Sequence, residues 1–335
     1  MSYIAPQTPL YLTHINEYLP GQPISNQDLL KRIGESRGLK SKADWIRTQT
    51  GIENRFWANE DQACSDLAFL ACQKSLRSRS GRPPSLLILS TISGDYPSPP
   101  TAPFVQHALG LKNLGTLDVS GACAGFIVGL HSACAHALAG GDVVLMCSSD
   151  VRSKFVDQSD LRTASLFGDG AAACFVEKDA NDGGFRILAS EINTNGEFVD
   201  VIKTAGGGSR NPNCEKNVIE INNGAELIVI AVRETVKAVE SFIQKFGQGL
   251  ASFDWLVPHQ GNTHLISAIA RGLGLAPEKV VMTVSDHGNT SGSTVGIALN
   301  RLSRGPKINN GDKILLCGAG GGGITGVAAL EYVGE

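Results

Sequence analysis

TLDVSGACAGFIVGLHSACAHALAGGDVVLMCSSD, residues 116–150, decides the fold. Thr116 to Val119 reads as a short strand, Ser120-Gly121-Ala122 as a tight turn, and Ala122 to Ala139 as an almost wholly apolar helix stopped by Gly140-Gly141. A second buried strand follows, Val143 to Cys147. Cys123 stands where strand becomes helix, at the positive end of a helix macrodipole and beside unpaired N–H groups, which favour a thiolate. A nucleophile belongs there. A small buried residue does too, since free cysteine packs as a small hydrophobe.

Two later stretches bear on that choice. Trp255-Leu-Val-Pro-His-Gln-Gly-Asn262 is an apolar strand that ends in Pro258 and His259, and Asp286-His-Gly-Asn-Thr-Ser-Gly292 is a polar turn opening a small-residue helix, Ser293 to Arg301. A Cys, a His and an Asn, each at the mouth of an element, can converge in an α/β fold although far apart in the chain. The chain also echoes itself. Val119 to Gly125 followed by Gly141-Asp142 and an apolar strand is matched by Val284 to Gly296 followed by Gly311-Asp312 and another, each reading as strand, turn, helix, turn, strand. Two similar α/β halves are expected, 1–180 and 185–335, joined around Asp179 to Gly184, with their central helices packed together.

Composition sets the bounds. With 335 residues, 42% of them hydrophobic, the chain can bury a large core, and a net charge of −3 offers no general attraction to nucleic acid or anionic membranes. The N-terminal stretch has no basic lead-in and no continuous apolar core, so a cytoplasmic protein is expected. The apolar 122–139 helix is rich in Ala and Gly and carries His131 and His136, which suits enclosure by protein rather than lipid. The eight cysteines, 64, 72, 123, 134, 147, 174, 214 and 317, show no CxxC spacing and read as reduced thiols. His131, Cys134 and His136 read as core packing, so no metal is expected.

Other elements follow from spacing. Leu10 to Tyr18 and Ser85 to Ser90 read as strands, Asn26 to Ser36, Asp66 to Arg77 and Gly224 to Gln248 as helices, Gly94 to Pro103 and Gly206 to Asn213 as loops, and Phe167-Gly-Asp-Gly170 as a turn entering a strand. GAGGGG, Gly318 to Gly323, satisfies GxGxxG, yet only twelve residues remain after Gly323 and they read as a terminal strand, Ile324 to Tyr332. No room is left for a dinucleotide-binding helix and second strand.

SGACAGF around Cys123, VPHQGN around His259, HGNTSG around Asn289, the FGDG turn and the terminal GAGGGGITG together resemble the β-ketoacyl-acyl-carrier-protein synthase III group of the thiolase superfamily, from about Leu12 to the end. The resemblance implies a five-layered αβαβα fold built from two similar halves, a homodimer, and no tightly bound cofactor, with CoA and phosphopantetheine thioesters as substrates. It implies that Cys123 is acylated by an acyl-CoA or acyl-carrier-protein thioester, and that His259 and Asn289 stabilise the enolate from decarboxylation of a malonyl-type thioester. An N–H of the turn Gly320, Gly321, Gly322 and Gly323 would join that of Cys123 in an oxyanion hole, while Gln260, Asn262 and His287 hold the catalytic side chains. Trp45 falls at the family's CoA-stacking tryptophan, and Ser98 where relatives carry a bulky residue that closes the partner's acyl pocket.

The departures lie at the handles. Gln49 and Leu161 replace arginines of the family's CoA clamp, with Arg162 beside the second, and Val229 and His264 replace basic carrier-docking residues. A specialised rather than housekeeping condensing enzyme is the expectation. Transfer of the acyl group to an alcohol or amine, condensation of two longer acyl chains, and a silent partner subunit stand as alternatives.

Overall fold

The computed structural model describes residues 2–34, 38–180, 183–214 and 216–334. Nine strands form the path of its large sheet: β1 (Tyr11–Tyr18), β2 (Leu86–Ser90), β3 (Gly115–Val119), β4 (Val143–Asp150), β5 (Gly170–Glu177), β6 (Gly184–Thr194), β7 (Trp255–Pro258), β8 (Lys313–Gly320) and β9 (Ile324–Val333). Their order is β7-β8-β9-β6-β1-β5-β4-β2-β3, with Tyr3–Ile4 added beside β6. β2, β4 and β5, buried along most or all of their length, read as continuous apolar or small-residue runs because both faces are covered.

The echo in the sequence is an echo in topology. β2 pairs with β4 in parallel, β4 with β5 and β5 with β1 antiparallel; β7 pairs with β8 in parallel, β8 with β9 and β9 with β6 antiparallel. The two sets meet where Tyr11 and Leu12 of β1 pair with Arg186 and Phe185 of β6. One expected strand is absent. Where β3 flanks β2, the second set keeps only a parallel bridge from Leu256 to Val280, and Val284–His287 is a helical turn instead of the start of a strand. That turn is punctuated by Gly288, whose φ of 69° a side chain would resist. Residues 181 and 182 of the expected junction, and Ser36 of an expected helix end, lie outside the described residues.

Helices fill three layers around these strands. α1 (Cys64–Arg77) packs on β1, β4 and β5; α3 (Gly224–Phe246) and α4 (Thr263–Gly272) pack together, α3 resting on β8 and β9. Between the two strand sets lie α2 (Gly125–Leu138) and α5 (Thr294–Ser303), each touching strands of both. α2 is apolar all round for that reason, and among the described residues no helix is long and apolar enough to cross a membrane. The loop expected to reach Pro103 gives way at Ala102 to the helix Ala102–Ala108, with Pro103 in the first turn where a missing N–H costs nothing.

α2 and α5 touch through glycines. A Cβ on Gly296 would lie 2.5 Å from the Phe126 ring and 2.6 Å from the Ala172 Cβ. Gly296→Ala sets about 1 kcal/mol of helix propensity against about 1–3 kcal/mol of overpacking. We expect net destabilisation of about 1–2 kcal/mol, read from urea denaturation midpoints at unchanged m-value; a more stable variant would mean that the central layer has slack.

Candidate active site

The small residues of 116–150 put Cys123 where the backbones of two turns approach closely. β3 ends at Val119, and Ala122–Ala124 form a single 3-10 turn that runs on into α2. Ala122 adopts φ 46°, in the left-handed region that costs an L-residue about 1–2 kcal/mol. Ser291 repeats this at φ 57°, opening the equivalent 3-10 turn before α5. Two bends of one strained kind meet, and a Cβ on Gly292 would lie 2.9 Å from the Ala122 carbonyl oxygen.

His259 follows the last residue of β7. Its N–H donates to Cys317 O at 2.8 Å, and its Nδ1 lies 2.7 Å from the Thr294 hydroxyl, the first residue of α5. With Nδ1 engaged, Nε2 is the nitrogen left to work. Asn289 is clamped by the FGDG turn: its N–H donates to Leu166 O at 2.9 Å and its carbonyl accepts from Gly168 N–H at 3.0 Å. The Asn289 side-chain oxygen accepts from Ser291 N–H at 2.9 Å, so Nδ2 is left as the outward donor. Cys123, His259 and Asn289 line one cavity of about 110 Å³, whose other walls include Phe198, Ile228 and Leu265.

The electrostatics correct one expectation. Burial pushes the Cys123 thiol up to about 11, with Arg152 opposing and Asp150 adding to the rise, so a helix start alone does not make a thiolate here. Burial likewise pulls His259 down to about 4. At neutral pH the pair is a neutral thiol and a neutral imidazole, and the imidazole can take the thiol proton at the moment of attack.

The terminal glycines pack against this turn. A Cβ on Gly320 would lie 2.7 Å from the Cys123 backbone nitrogen, and one on Gly323, at φ 72°, 2.0 Å from Asn195 O. Gly321, Gly322 and Gly323 turn β8 into antiparallel β9, which removes the dinucleotide reading on structural grounds.

Gln260 and His287 join the histidine and asparagine segments. Gln260 donates to Pro258 O at 2.7 Å and to Val281 O at 3.1 Å, and accepts from Thr283 N–H at 2.8 Å. His287, pulled down to about 3 by burial first and by Arg301 second, donates from Nδ1 to Gly288 O at 2.8 Å, so its Nε2 accepts from the Thr283 hydroxyl at 2.9 Å. Asn262 does something else: its side chain caps α4 by accepting from Leu265 N–H, and the same residue lines the cavity. Three contributors escape a reading by motif. Asp169 of FGDG is fully buried and accepts from Ala58, Arg152 and Ser153 N–H and from the Ser153 hydroxyl; Thr294 orients His259; Arg152 stands beside Cys123.

Comparison with known proteins decides the family. Models of 3-oxoacyl-(acyl-carrier-protein) synthase III match residues 117–196, and of its C-terminal part residues 243–332. A β-ketoacyl-(acyl-carrier-protein) synthase III of Methylococcus capsulatus is 33% identical over 318 residues, 94% of this chain and 96% of that one. That of Granulibacter bethesdensis is 35% identical over 324 residues, 95% of this chain and 97% of the relative. The crystal structure of 3-oxoacyl-(acyl carrier protein) synthase III from Pseudomonas aeruginosa superposes with a TM-score of 0.87 at 30% identity, covering 97% of this chain and 98% of that one. The chain belongs to the β-ketoacyl-acyl-carrier-protein synthase III family. It is a condensing enzyme of the thiolase superfamily, with the thiolase fold.

Against that family, the altered handles have clear surroundings. Leu161 packs on the Ile24, Leu29, Leu30 and Ile46 cluster. Arg162 is held by Asp160 through contacts of 2.9 and 3.0 Å. Trp45 is 45% exposed on the Leu39–Thr50 helix and does not line the Cys123 cavity, and His264 Nε2 lies 2.9 Å from Thr48 O on the same helix. Ser98 is exposed on its loop; the adjoining hollow, lined by Tyr96, Pro97 and Pro100, shares Ile92 and Ser120 with a hollow beside Cys123.

The depressed histidines give a pH prediction. An imidazole acting as base fails only as pH falls through its folded-state value, so acyl loading of Cys123 should stay flat from pH 8 to 5.5 and fall only as pH approaches about 4. Rapid-quench loading rates check this, and a midpoint near the ordinary imidazole value would contradict the burial of His259.

Proposed function

We propose that the enzyme takes an acyl group from a CoA or carrier-protein thioester onto Cys123 and condenses it with a malonyl-type thioester. The observation that carries the reading is that Cys123, His259 and Asn289 line one mostly apolar cavity, with His259 Nδ1 and the Asn289 side-chain oxygen already engaged elsewhere. In loading, the thiol proton passes to His259 as sulfur attacks, and N–H groups of Cys123 and the Gly320–Gly323 turn receive the oxyanion. Decarboxylation of the second thioester then releases carbon dioxide and places charge on an enolate oxygen, where Asn289 Nδ2–H donates and so does His259 Nε2–H, in the neutral tautomer whose Nδ1 accepts from the Thr294 hydroxyl. Carbon attack on acyl-Cys123 breaks the bond between sulfur and the acyl carbon and releases a β-ketoacyl thioester, and the expelled Cys123 thiolate takes a proton from solvent to return the thiol. No bound cofactor enters these steps.

A specialised role is the finer reading. Its support is the apolar setting of Leu161 and the internal pairing of Arg162, which leave the inherited nucleotide clamp without its second arginine. We also read the protein as a homodimer. β3 is the unpaired edge of the sheet, and Leu117 on it is 45% exposed beside exposed Ile92, Tyr96 and Phe104. A second copy would cover this edge and its apolar rim.

Intact-protein mass spectrometry with a panel of acyl thioesters tests the chemistry. Wild type should gain an acyl adduct that a malonyl thioester discharges as a β-ketoacyl product, and Cys123→Ala should gain none. Asn289→Ala should load normally but lose about two to three orders of magnitude in condensation rate, the cost of one oxyanion donor. An adduct that ignores the malonyl thioester would turn the reading to acyl transfer onto oxygen or nitrogen. For assembly, light scattering should give twice the chain mass for wild type and a smaller species for Leu117→Asp; a monomeric wild type would remove the homodimer.

A further inference from the structure

Cys123 borders a second hollow of about 260 Å³, lined by neither His259 nor Asn289. If Cys123 is acylated as proposed above, the acyl chain has to leave the first cavity clear for the second thioester, and this hollow is the space beside the sulfur that remains. Ile92, Phe167, Ile202 and Ile324 give it apolar walls, yet Arg152 lines it as well.

Arg152 is 5% exposed. Its Nη2 donates to the Thr204 hydroxyl at 3.4 Å and its guanidinium lies 5.5 Å from the Phe155 ring centre, but its Nε has no partner among the described residues. The nearby carboxylates are occupied. Asp150 accepts from the Thr91 and Ser93 hydroxyls and from Ile92 and Gly292 N–H, and Asp169 spends both oxygens on Ala58, Arg152 and Ser153 backbone N–H and the Ser153 hydroxyl. Lys203, also on the wall, is ion-paired with Asp200 at 2.8 Å. The Ser291 hydroxyl, on the wall of the same hollow, is buried and has no oxygen or nitrogen partner among the described residues; its neighbour is the Cys123 sulfur, whose thiolate it favours. Both donors are already shut off from solvent, and a plain alkyl chain there would leave them without an oxygen acceptor.

We infer that the acyl group carried by Cys123 bears an oxygen acceptor on its chain, a carboxylate, keto or hydroxyl group, and that Arg152 with Ser291 selects it. In loading, the bond from sulfur to the acyl carbon forms as the bond to the pantetheine sulfur breaks, and the thiol proton passes through His259 to the departing thiolate. The chain oxygen takes no part and is left to accept from Arg152.

Four thioesters of equal carbon count test this: butyryl, 3-hydroxybutyryl, acetoacetyl and succinyl, offered to wild type, Arg152→Leu and Arg152→Lys, with loading rates read by intact mass. On wild type at least one oxygen-bearing chain should load about 10- to 100-fold faster than butyryl, the factor for one charge-assisted hydrogen bond. Arg152→Leu should bring that ratio toward one and Arg152→Lys should keep part of it. Preference for succinyl assigns a carboxylate; preference for either other chain assigns a neutral oxygen. Butyryl loading fastest on wild type, or a ratio unchanged in Arg152→Leu, overturns the inference and leaves acylation of Cys123 intact. Loading by none of a wider acyl panel would instead remove the acylation reading and this inference with it. The wild-type comparison decides even if a variant fails to fold.

Discussion

Contact between the starts of α2 and α5 is the constraint on which the rest depends. A Cβ on Gly125 would sit 3.2 Å from the Gly292 Cα, and one on Gly292 would press on the Ala122 carbonyl, so neither turn can carry a larger residue without parting the helices. The strained backbone at Ala122 and Ser291 is held in place by this packing from both sides. Gly292 N–H donates to Asp150 at the end of β4, and Thr294 meets His259 at the end of β7, so the turn before α5 is tied to both strand sets. The site is the seam of the molecule, where close backbone approach and catalytic geometry are one requirement.

Much of this was legible in the chain, for a physical reason. Buried strands and small-residue helices leave continuous signals, and the turns before Gly125 and Thr294 repeat a pattern of small and polar residues that spacing alone exposes. The strand expected at Val284 was not formed, because periodicity does not distinguish a single helical turn from a short strand when a glycine with positive φ closes it four residues later. The partnership of Phe167-Gly168 with Asn289 was also out of reach. It is a backbone bridge between segments more than a hundred residues apart, and backbone bonds carry no residue signature. FGDG read locally as a turn; its larger service is to hold the asparagine and, through Asp169, the Arg152-Ser153 backbone.

The charge state of the thiol shows where local argument stops. A helix start contributes a fraction of an elementary charge, an effect of about 1 kcal/mol or less where water screens it. Desolvation of the half-buried thiolate outweighs that here and raises the thiol. Position on a helix can be read from sequence, whereas depth cannot. The outcome changes the chemistry, because a neutral pair resists adventitious oxidation and alkylation and acquires a nucleophile only when a thioester is in place to receive it.

The positions that the sequence reading sets apart from the family, Gln49, Leu161, Val229 and His264, all stand off the cavity that Cys123, His259 and Asn289 line. Leu161 and Arg162 lie on a short helix, Val229 and His264 on α3 and α4, and Arg152 on the wall of the hollow beside Cys123. Asp150 and Asp169 offset the charge of the buried Arg152 guanidinium but leave its Nε–H without an acceptor, and an oxygen-bearing visitor to the hollow would supply one. In the proposed mechanism the bond-forming step rests on the thiol, imidazole, amide and backbone N–H groups at the seam. Choice of what is joined is then written on the two sides of Cys123 that the seam leaves open, and it can change there without disturbing the packing of α2 against α5.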